Sequence, residues 1–266
     1  MTDAILLVGH GTRNETGQRQ FVRLAERLRA AVKSTPLEVA YIELQPPSIA
    51  DALVNLHAQG HKNIILSPAL LFAAGHAKQD IPAAVAEAKL RCIGLEVKLA
   101  EPLGCHTSVL DLAGQRVLSS LAPSLRGESR GEGPAVRIDS ATSLVVIGRG
   151  SSDPAAIAHC REFAQRLADR LSIKSVLTGF IAIAQPSLRE ALDMAAASGT
   201  PQIIVVPHLL FTGEMLETTS VAVQAAQRTH SQLDWRQAEI LGSDLLDSES
   251  VAALLLVDAL RARLSR

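Results

Sequence analysis

The sequence is short of cysteine and has no excess of charge of either sign, and both shortages exclude kinds of protein. Its three cysteines, Cys92, Cys105 and Cys160, are widely separated and form no C-x-x-C pair, so we expect neither a disulfide framework nor a thiolate metal cluster. Its 26 basic and 27 acidic residues nearly cancel, which leaves no overall field to attract nucleic acid or an anionic membrane. We therefore expect neither as a partner, and a charged ligand must be bound by a local cluster.

Long apolar runs are also missing. No stretch approaches the roughly 20 apolar residues of a membrane-spanning helix. Asp3 stands where a signal peptide would be basic, and the apolar run 4–8 is too short for a secretory segment. The pair Gly9 and Gly11 lacks the third glycine of a dinucleotide-binding fingerprint. We expect a cytoplasmic protein that spans no membrane and does not bind NAD through this motif.

The chain contains an internal repeat. Val-Gly-His-Gly-Thr at 8–12 recurs as Ile-Gly-Arg-Gly-Ser at 147–151, so that His10 corresponds to Arg149, 139 positions later. The same shift aligns further segments: 41–44 with 180–183, 47–48 with 186–187, 64–65 with 203–204, and 70–72 with 209–211. Between the copies, 123–141 is rich in glycine, proline and charge. We predict a first lobe at 1–122, a linker at 123–141 and a second lobe at 142–266.

Each copy alternates strand and helix patterns. Short runs rich in Val, Ile and Leu at 4–8, 38–44, 63–67 and 95–99 are typical of strands buried on both faces. Helical spacing follows the first run, a second helix is predicted to begin at Ser48, and a third after Asp80 with Pro82 in its first turn. The alternation predicts an α/β fold of two repeated, doubly wound lobes. Each lobe should have a mainly parallel four-stranded sheet with helices on both faces, and a cleft should lie between the lobes.

Three polar side chains follow three predicted strands. His10 lies two residues past the first strand, Glu43 lies at the end of the second, and His76 lies in the loop 68–78 after the third. Ligands of such sheets bind beyond the carboxyl ends of the strands, so we expect the three to converge. Two imidazoles and one carboxylate suit a divalent first-row metal that is held loosely with open positions. The sequence therefore predicts a metal site.

The repeat provides an internal control for this site. At the positions equivalent to His10, Glu43 and His76 the second copy has arginine, alanine and methionine, at 149, 182 and 215. The flanking scaffold is kept while all three polar groups change together. This coincidence favours a shared role over three separate structural ones.

These segments resemble a known family. Leu-Val-Gly-His-Gly-Thr-Arg at 7–13, Tyr-Ile-Glu-Leu-Gln-Pro-Pro-Ser-Ile at 41–49 and the run 68–82 are similar to the sirohydrochlorin chelatases, class II enzymes that insert cobalt or ferrous iron into a tetrapyrrole. The resemblance covers nearly the whole chain and is closer over 1–121 than over 142–266. It implies that His10 and His76 bind the metal and touch the macrocycle, with Glu43 assisting. Co²⁺ or Fe²⁺ would be a substrate metal, and no tightly bound cofactor is expected.

The resemblance also names a substrate, sirohydrochlorin, whose rim of carboxylates needs local cations. Four basic residues on or beside the motif loops are candidates for binding them: Arg13, Lys78, Arg149 and Arg189. The duplication lets one chain do what two copies of a short chain would do, so we expect a monomer. In our hypothesis the two histidines hold the ion and accept pyrrole protons, while Glu43 offsets charge or relays protons.

Two other functions stay open at this point. A non-catalytic carrier of a tetrapyrrole or metal would need the same residues. A histidine-phosphatase-like enzyme would also have a glycine-flanked histidine, but it needs arginine immediately before that histidine, where this chain has Gly9. The choice between cobalt, iron and nickel is open, and so is the role of His208, which replaces Ala69 and could face the cleft.

Overall fold

The protein consists of two parallel sheets surrounded by helices in the computed structural model, which describes residues 3–72, 74–121, 138 and 141–265. The first half contains β1 (Ala4–Gly9), α1 (Glu15–Val32), β2 (Leu37–Tyr41), α2 (Ile49–Ala58), β3 (Asn63–Pro68), α3 (His76–Arg91), β4 (Glu96–Leu99) and α4 (Thr107–Leu121). The second half contains β5 (Thr142–Gly148), α5 (Pro154–Leu171), β6 (Ser175–Phe180), α6 (Leu188–Ala196), β7 (Gln202–Pro207), α7 (Glu214–Thr229), β8 (Asp234–Gln237) and α8 (Val251–Leu264).

The two sheets have the same topology. The first has the order β2-β1-β3-β4 and the second β6-β5-β7-β8, and every neighbouring pair is parallel. Every residue of the central strands β1 and β5 is buried, as expected for strands covered on both faces. These findings confirm the predicted fold. The predicted linker 123–141 lies almost entirely outside the described residues, and the lobe boundaries stay a prediction.

Two element boundaries differ from those predicted. β2 ends at Tyr41 instead of Leu44, because Leu44 has a φ of 67°, which a strand cannot contain. α3 begins at His76 instead of after Asp80. Its first turn forms without a side-chain cap, through bonds such as that from the backbone N–H of Lys78 to the carbonyl of Gly75 (3.1 Å). Pro82 therefore lies inside the helix and does not mark its start.

Three apolar cores hold the layers together. Alternate residues of β1 point to opposite faces: Ala4, Leu6 and Val8 pack with α2 and α3 in an outer core, whereas Ile5 and Leu7 pack in a central core. A second outer core packs α6 and α7 against the other sheet. The central core contains buried residues of both sheets and of α1, α4, α5 and α8. It therefore joins the two halves of the chain.

The helices α4 and α8 are exchanged between the sheets. α4 follows the first sheet in the chain but packs against α5, β7 and β8, whereas α8 follows the second sheet and packs against α1 and β3. Polar contacts fix both helices: Arg116 of α4 donates to Asp244 (2.5 Å), and Arg263 of α8 donates to the carbonyl of Leu103 (3.2 Å). Each structural lobe thus includes one helix from the other half of the chain.

None of the helices in the described part of the chain is long and apolar enough to cross a membrane.

Candidate active site

The loops after β1 and β2 are joined backbone to backbone. The N–H of Ile42 donates to the carbonyl of Gly9 (3.0 Å), and the N–H of Glu43 donates to the carbonyl of His10 (3.1 Å). Gly11 has a φ of 97°, and any side chain there would collide with the carbonyl oxygen of Glu43. Glycine at this position therefore allows the two loops to meet, and it places Glu43 beside His10 although β2 ends earlier than predicted.

The His10 ring lies between a carboxylate and a guanidinium. Its Nδ1 is 3.4 Å from Oε1 of Glu43, and its Nε2 is 2.8 Å from Nη1 of Arg149. Arginine can only donate a hydrogen bond, so Nε2 accepts and the ring proton of the neutral imidazole is on Nδ1, towards Glu43. The side chain of His10 is 31% exposed and that of Glu43 is 49% exposed, which leaves both accessible to a ligand.

The structure brings together two of the three predicted metal ligands. His76 is the first residue of α3, at the carboxyl-edge side of β3, but its side chain lies outside what the structure describes. Among the described residues no group of three or more His, Cys, Asp or Glu side chains is placed to hold a metal ion. The three-ligand site stays a prediction, with His10 and Glu43 adjacent and the backbone of His76 following the next strand.

A second polar contact joins the two halves of the chain. Nζ of Lys78, in the first turn of α3, lies 2.6 Å from Oδ2 of Asp153, the N-cap of α5. This contact with Lys78, together with the backbone N–H of Ala155, lowers the pKa of Asp153 below its ordinary value. Sequence reasoning missed Asp153. The signal was available in the repeat, because the equivalent N-cap in the first copy is the uncharged Asn14.

The four candidate cations therefore have different surroundings. Arg149 contacts His10 and Lys78 contacts Asp153, both across the boundary between the two halves. Arg13 is exposed in the loop between β1 and α1, and Arg189 is exposed in the first turn of α6. Their role in binding carboxylates stays a prediction for all four.

His208, whose role the sequence left open, is a core residue. It is 3% exposed, its ring stacks on Phe163 with centroids 3.9 Å apart, and the ring centroid of Phe72 lies 5.6 Å from that of His208. Its Nδ1 has no hydrogen-bond partner among the described residues. Burial lowers the pKa of His208 to about 3, so that the ring is neutral at neutral pH and helps to join Phe72 of one half to Phe163 of the other.

The repeated α/β architecture with polar groups at the carboxyl edges is that of the chelatase-like folds. SirB from Bacillus subtilis, solved with Fe³⁺, superposes with a TM-score of 0.80 at 24% identity and covers 99% of this chain and 96% of its own. The CbiX family model matches the chain twice, at residues 4–120 and 143–259. The chain belongs to the CbiX family.

Curated relatives support the same assignment. A sirohydrochlorin ferrochelatase of Priestia megaterium is 33% identical over 214 residues, which cover 80% of this chain and 75% of the relative. A sirohydrochlorin cobaltochelatase of the same organism is 28% identical over 240 residues, covering 90% of this chain and 74% of the relative. The resemblance inferred from the motifs is thereby confirmed at the level of the family.

Proposed function

We propose that this chain is a sirohydrochlorin chelatase, a lyase-class enzyme that inserts a divalent metal ion into the macrocycle. The observation that carries the proposal is the pairing of His10 with Glu43 at the carboxyl edge of the first sheet, 3.4 Å apart, in a member of the CbiX family. Named relatives act with iron and with cobalt. The set of two histidines and one glutamate accepts both ions, so we propose Co²⁺ or Fe²⁺ as the substrate metal.

Insertion replaces two pyrrole N–H protons by one divalent ion, so the site must deliver the ion and remove both protons. In the proposed mechanism His10 binds the ion through Nε2, because the ring proton is on Nδ1 facing Glu43. Glu43 orients this tautomer and offsets the charge of the ion. As the ion passes to the macrocycle, the histidines become free to accept protons from the pyrrole nitrogens, and Glu43 passes protons onward.

His76 completes the proposed ligand set. It is the first residue of α3, in the segment that follows β3, and β3 is the neighbour of β1 in the sheet. We propose that the ion exchanges its two imidazole ligands, His10 and His76, one at a time for nitrogens of the macrocycle. Neutral imidazoles suit this exchange because they release an ion more readily than thiolates do. The carboxylates of the macrocycle are proposed to pair with Arg13, Lys78, Arg149 and Arg189.

One chain supplies both walls of this site. His10 and Glu43 come from the first copy and Arg149 from the second, and the contact between His10 and Arg149 joins the two loops that the repeat relates. We therefore propose that a single chain is the catalytic unit and that it acts as a monomer in the cytoplasm.

The test is metal insertion followed by the absorbance change of sirohydrochlorin under anaerobic conditions, with Co²⁺ and Fe²⁺ supplied in turn. We expect His10→Ala and His76→Ala each to lower kcat/KM by about 100-fold or more, and Glu43→Ala to lower it by about tenfold or more. His159→Ala is the matched control, because His159 is exposed on α5. Wild-type rates in both site histidine variants would refute the site, and tight macrocycle binding without insertion by the wild type would refute catalysis.

A further inference from the structure

The contact between Arg149 and His10 uses the atom that the proposed function assigns to the metal. Nη1 of Arg149 donates to Nε2 of His10 at 2.8 Å. The unprotonated nitrogen of a neutral imidazole has a single lone pair in the ring plane, and a hydrogen bond and a metal ion need the same lone pair. His10 therefore cannot hold Arg149 and a metal ion at Nε2 at the same time.

The backbone on both sides of this contact is fixed by equivalent bonds. The carbonyl of His10 accepts from the N–H of Glu43 (3.1 Å), and the carbonyl of Arg149 accepts from the N–H of Ala182 (3.0 Å). Gly11 and Gly150 follow with φ values of 97° and 90°. Because Arg149 occupies the place of His10 in the second copy, its position opposite His10 results from the repeat and is built into the fold.

We propose that Arg149 is a latch that keeps the metal-binding nitrogen of His10 occupied until a carboxylate of the macrocycle binds the guanidinium. A carboxylate can accept two charge-assisted hydrogen bonds from the guanidinium, which are stronger than one bond to a neutral imidazole. Binding of the macrocycle then frees Nε2 and also removes a positive charge from the neighbourhood of the ion. This inference rests on the proposed function and makes Arg149 a positioning residue that couples the two substrates.

The latch predicts an order of events. Without the macrocycle the protein binds metal weakly, and with it the ion meets a free His10 beside the ring that receives it. The two binding events are therefore positively coupled, and couplings of this kind are typically 5- to 150-fold. In such an enzyme little metal is bound before the macrocycle binds.

The experiment measures two affinities of the whole protein separately. We expect Arg149→Ala to bind Co²⁺ about tenfold more tightly than the wild type in the absence of macrocycle, and to bind metal-free sirohydrochlorin several-fold more weakly. Arg149→Gln, which keeps most of the side-chain length, should likewise bind Co²⁺ more tightly and sirohydrochlorin more weakly than the wild type. A general loss of structure would weaken both affinities, so a gain in one together with a loss in the other points to the latch.

Two further variants separate the latch from a simple loss of charge. Lys78→Ala also removes one positive charge and breaks a contact between the two halves, but it leaves Nε2 of His10 occupied, so its gain in Co²⁺ affinity should be much smaller. In the double variant of His10→Ala and Arg149→Ala the gain should disappear. An unchanged Co²⁺ affinity in Arg149→Ala, or an equal gain in Lys78→Ala, would overturn the proposal.

The order of mixing gives a kinetic readout. When Co²⁺ is added to wild-type protein preincubated with sirohydrochlorin, insertion should begin faster than when the macrocycle is added last, and Arg149→Ala should lose this difference. If the wild type does not insert metal at all, the proposed function fails. The Co²⁺ titrations of the protein alone still decide whether Arg149 blocks His10.

Discussion

The two lobes have the same backbone conformation at their motif loops but carry different side chains there. Gly11 and Gly150 both have positive φ, and each lies against the carbonyl of the residue 32 positions later, Glu43 or Ala182. Leu44 and Ile183 also have nearly equal φ values, 67° and 64°. The metal-ligand candidates nevertheless occur only in the first copy. The comparison shows that the loop geometry is a property of the scaffold, which holds either a histidine or an arginine at the same place.

Two of the differences between the lobes lie where loops of the two halves meet. Arg149 lies on His10, and Asp153, which replaces Asn14, lies on Lys78. These two polar changes in the second copy thus have polar partners in the first. The second lobe therefore contributes side chains that contact the loops of the proposed site.

The largest expected effect tests whether the loop geometry is equally important in both lobes. Gly11→Ala and Gly150→Ala should each lower the free energy of unfolding by about 3 kcal/mol or more, because the new Cβ would meet a carbonyl oxygen at a strained φ. Urea denaturation followed by circular dichroism measures the change.

The matched controls are Gly60→Ala and Gly199→Ala. These glycines also have positive φ, 95° and 78°, but a Cβ there would meet nothing within 4 Å. They should cost only about 1 kcal/mol each, from backbone strain alone. A mild effect of Gly150→Ala beside a large effect of Gly11→Ala would break the equivalence of the two lobes.

A smaller effect distinguishes His208 from its counterpart Ala69. Since burial lowers the pKa of His208 from 6.5 to about 3, the unfolded chain binds a proton below pH 6.5 that the folded protein does not bind. The free energy of unfolding should therefore fall as the pH falls, by about 2 kcal/mol between pH 7 and pH 5. Unfolding curves at several pH values measure this slope.

His208→Phe should remove that part of the slope while keeping an aromatic ring against Phe163. The carboxyl groups with lowered pKa, among them Asp51, Asp153 and Glu190, have ordinary values of 3.8 or 4.5 and titrate below this range. An identical slope in the wild type and the variant between pH 7 and pH 5 would contradict the burial of a neutral ring.

The smallest expected effect is a gain in stability. Leu44 and Ile183 are 52% and 78% exposed in a left-handed backbone conformation that glycine adopts without strain. Replacing either by glycine should raise the free energy of unfolding by roughly 0.5 to 1 kcal/mol, with the larger gain for the β-branched Ile183. Differential scanning calorimetry compares the two. If only one of the two glycine variants loses stability, the side chain replaced in that variant packs on its loop.

Much of the fold was predictable because it depends on local patterns that the repeat doubles. The short apolar strands, the helix beginning after Ser48 and the shared shift of the motif loops are visible in single segments of the sequence. The predicted end of β2 is too late, because the apolar pattern continues to Leu44, where the backbone has a φ of 67° that no strand residue adopts. The predicted start of α3 is too late because proline is typical of a first helical turn, whereas Pro82 lies inside this helix.

The exchange of α4 and α8 was not predictable, because an amphipathic helix has the same pattern whichever sheet it covers. The same limit applies to the site. Strand ends predicted that His10 and Glu43 meet, but contacts between residues of different lobes, such as those of Arg149 and Asp153, depend on how two sheets are placed relative to each other. Only the repeat, compared position by position, contained a signal for them.

The exchanged helices limit how the molecule can move. To open as a clamshell, it would have to pull α4 from β7 and β8 and α8 from β3, and so expose apolar surface of the central core. Such exposure costs about 25 cal/mol for each Å². A large macrocycle is therefore expected to enter while the two sheets keep their relative position. The groups expected to move are side chains at the rim, Arg149 and Lys78 among them.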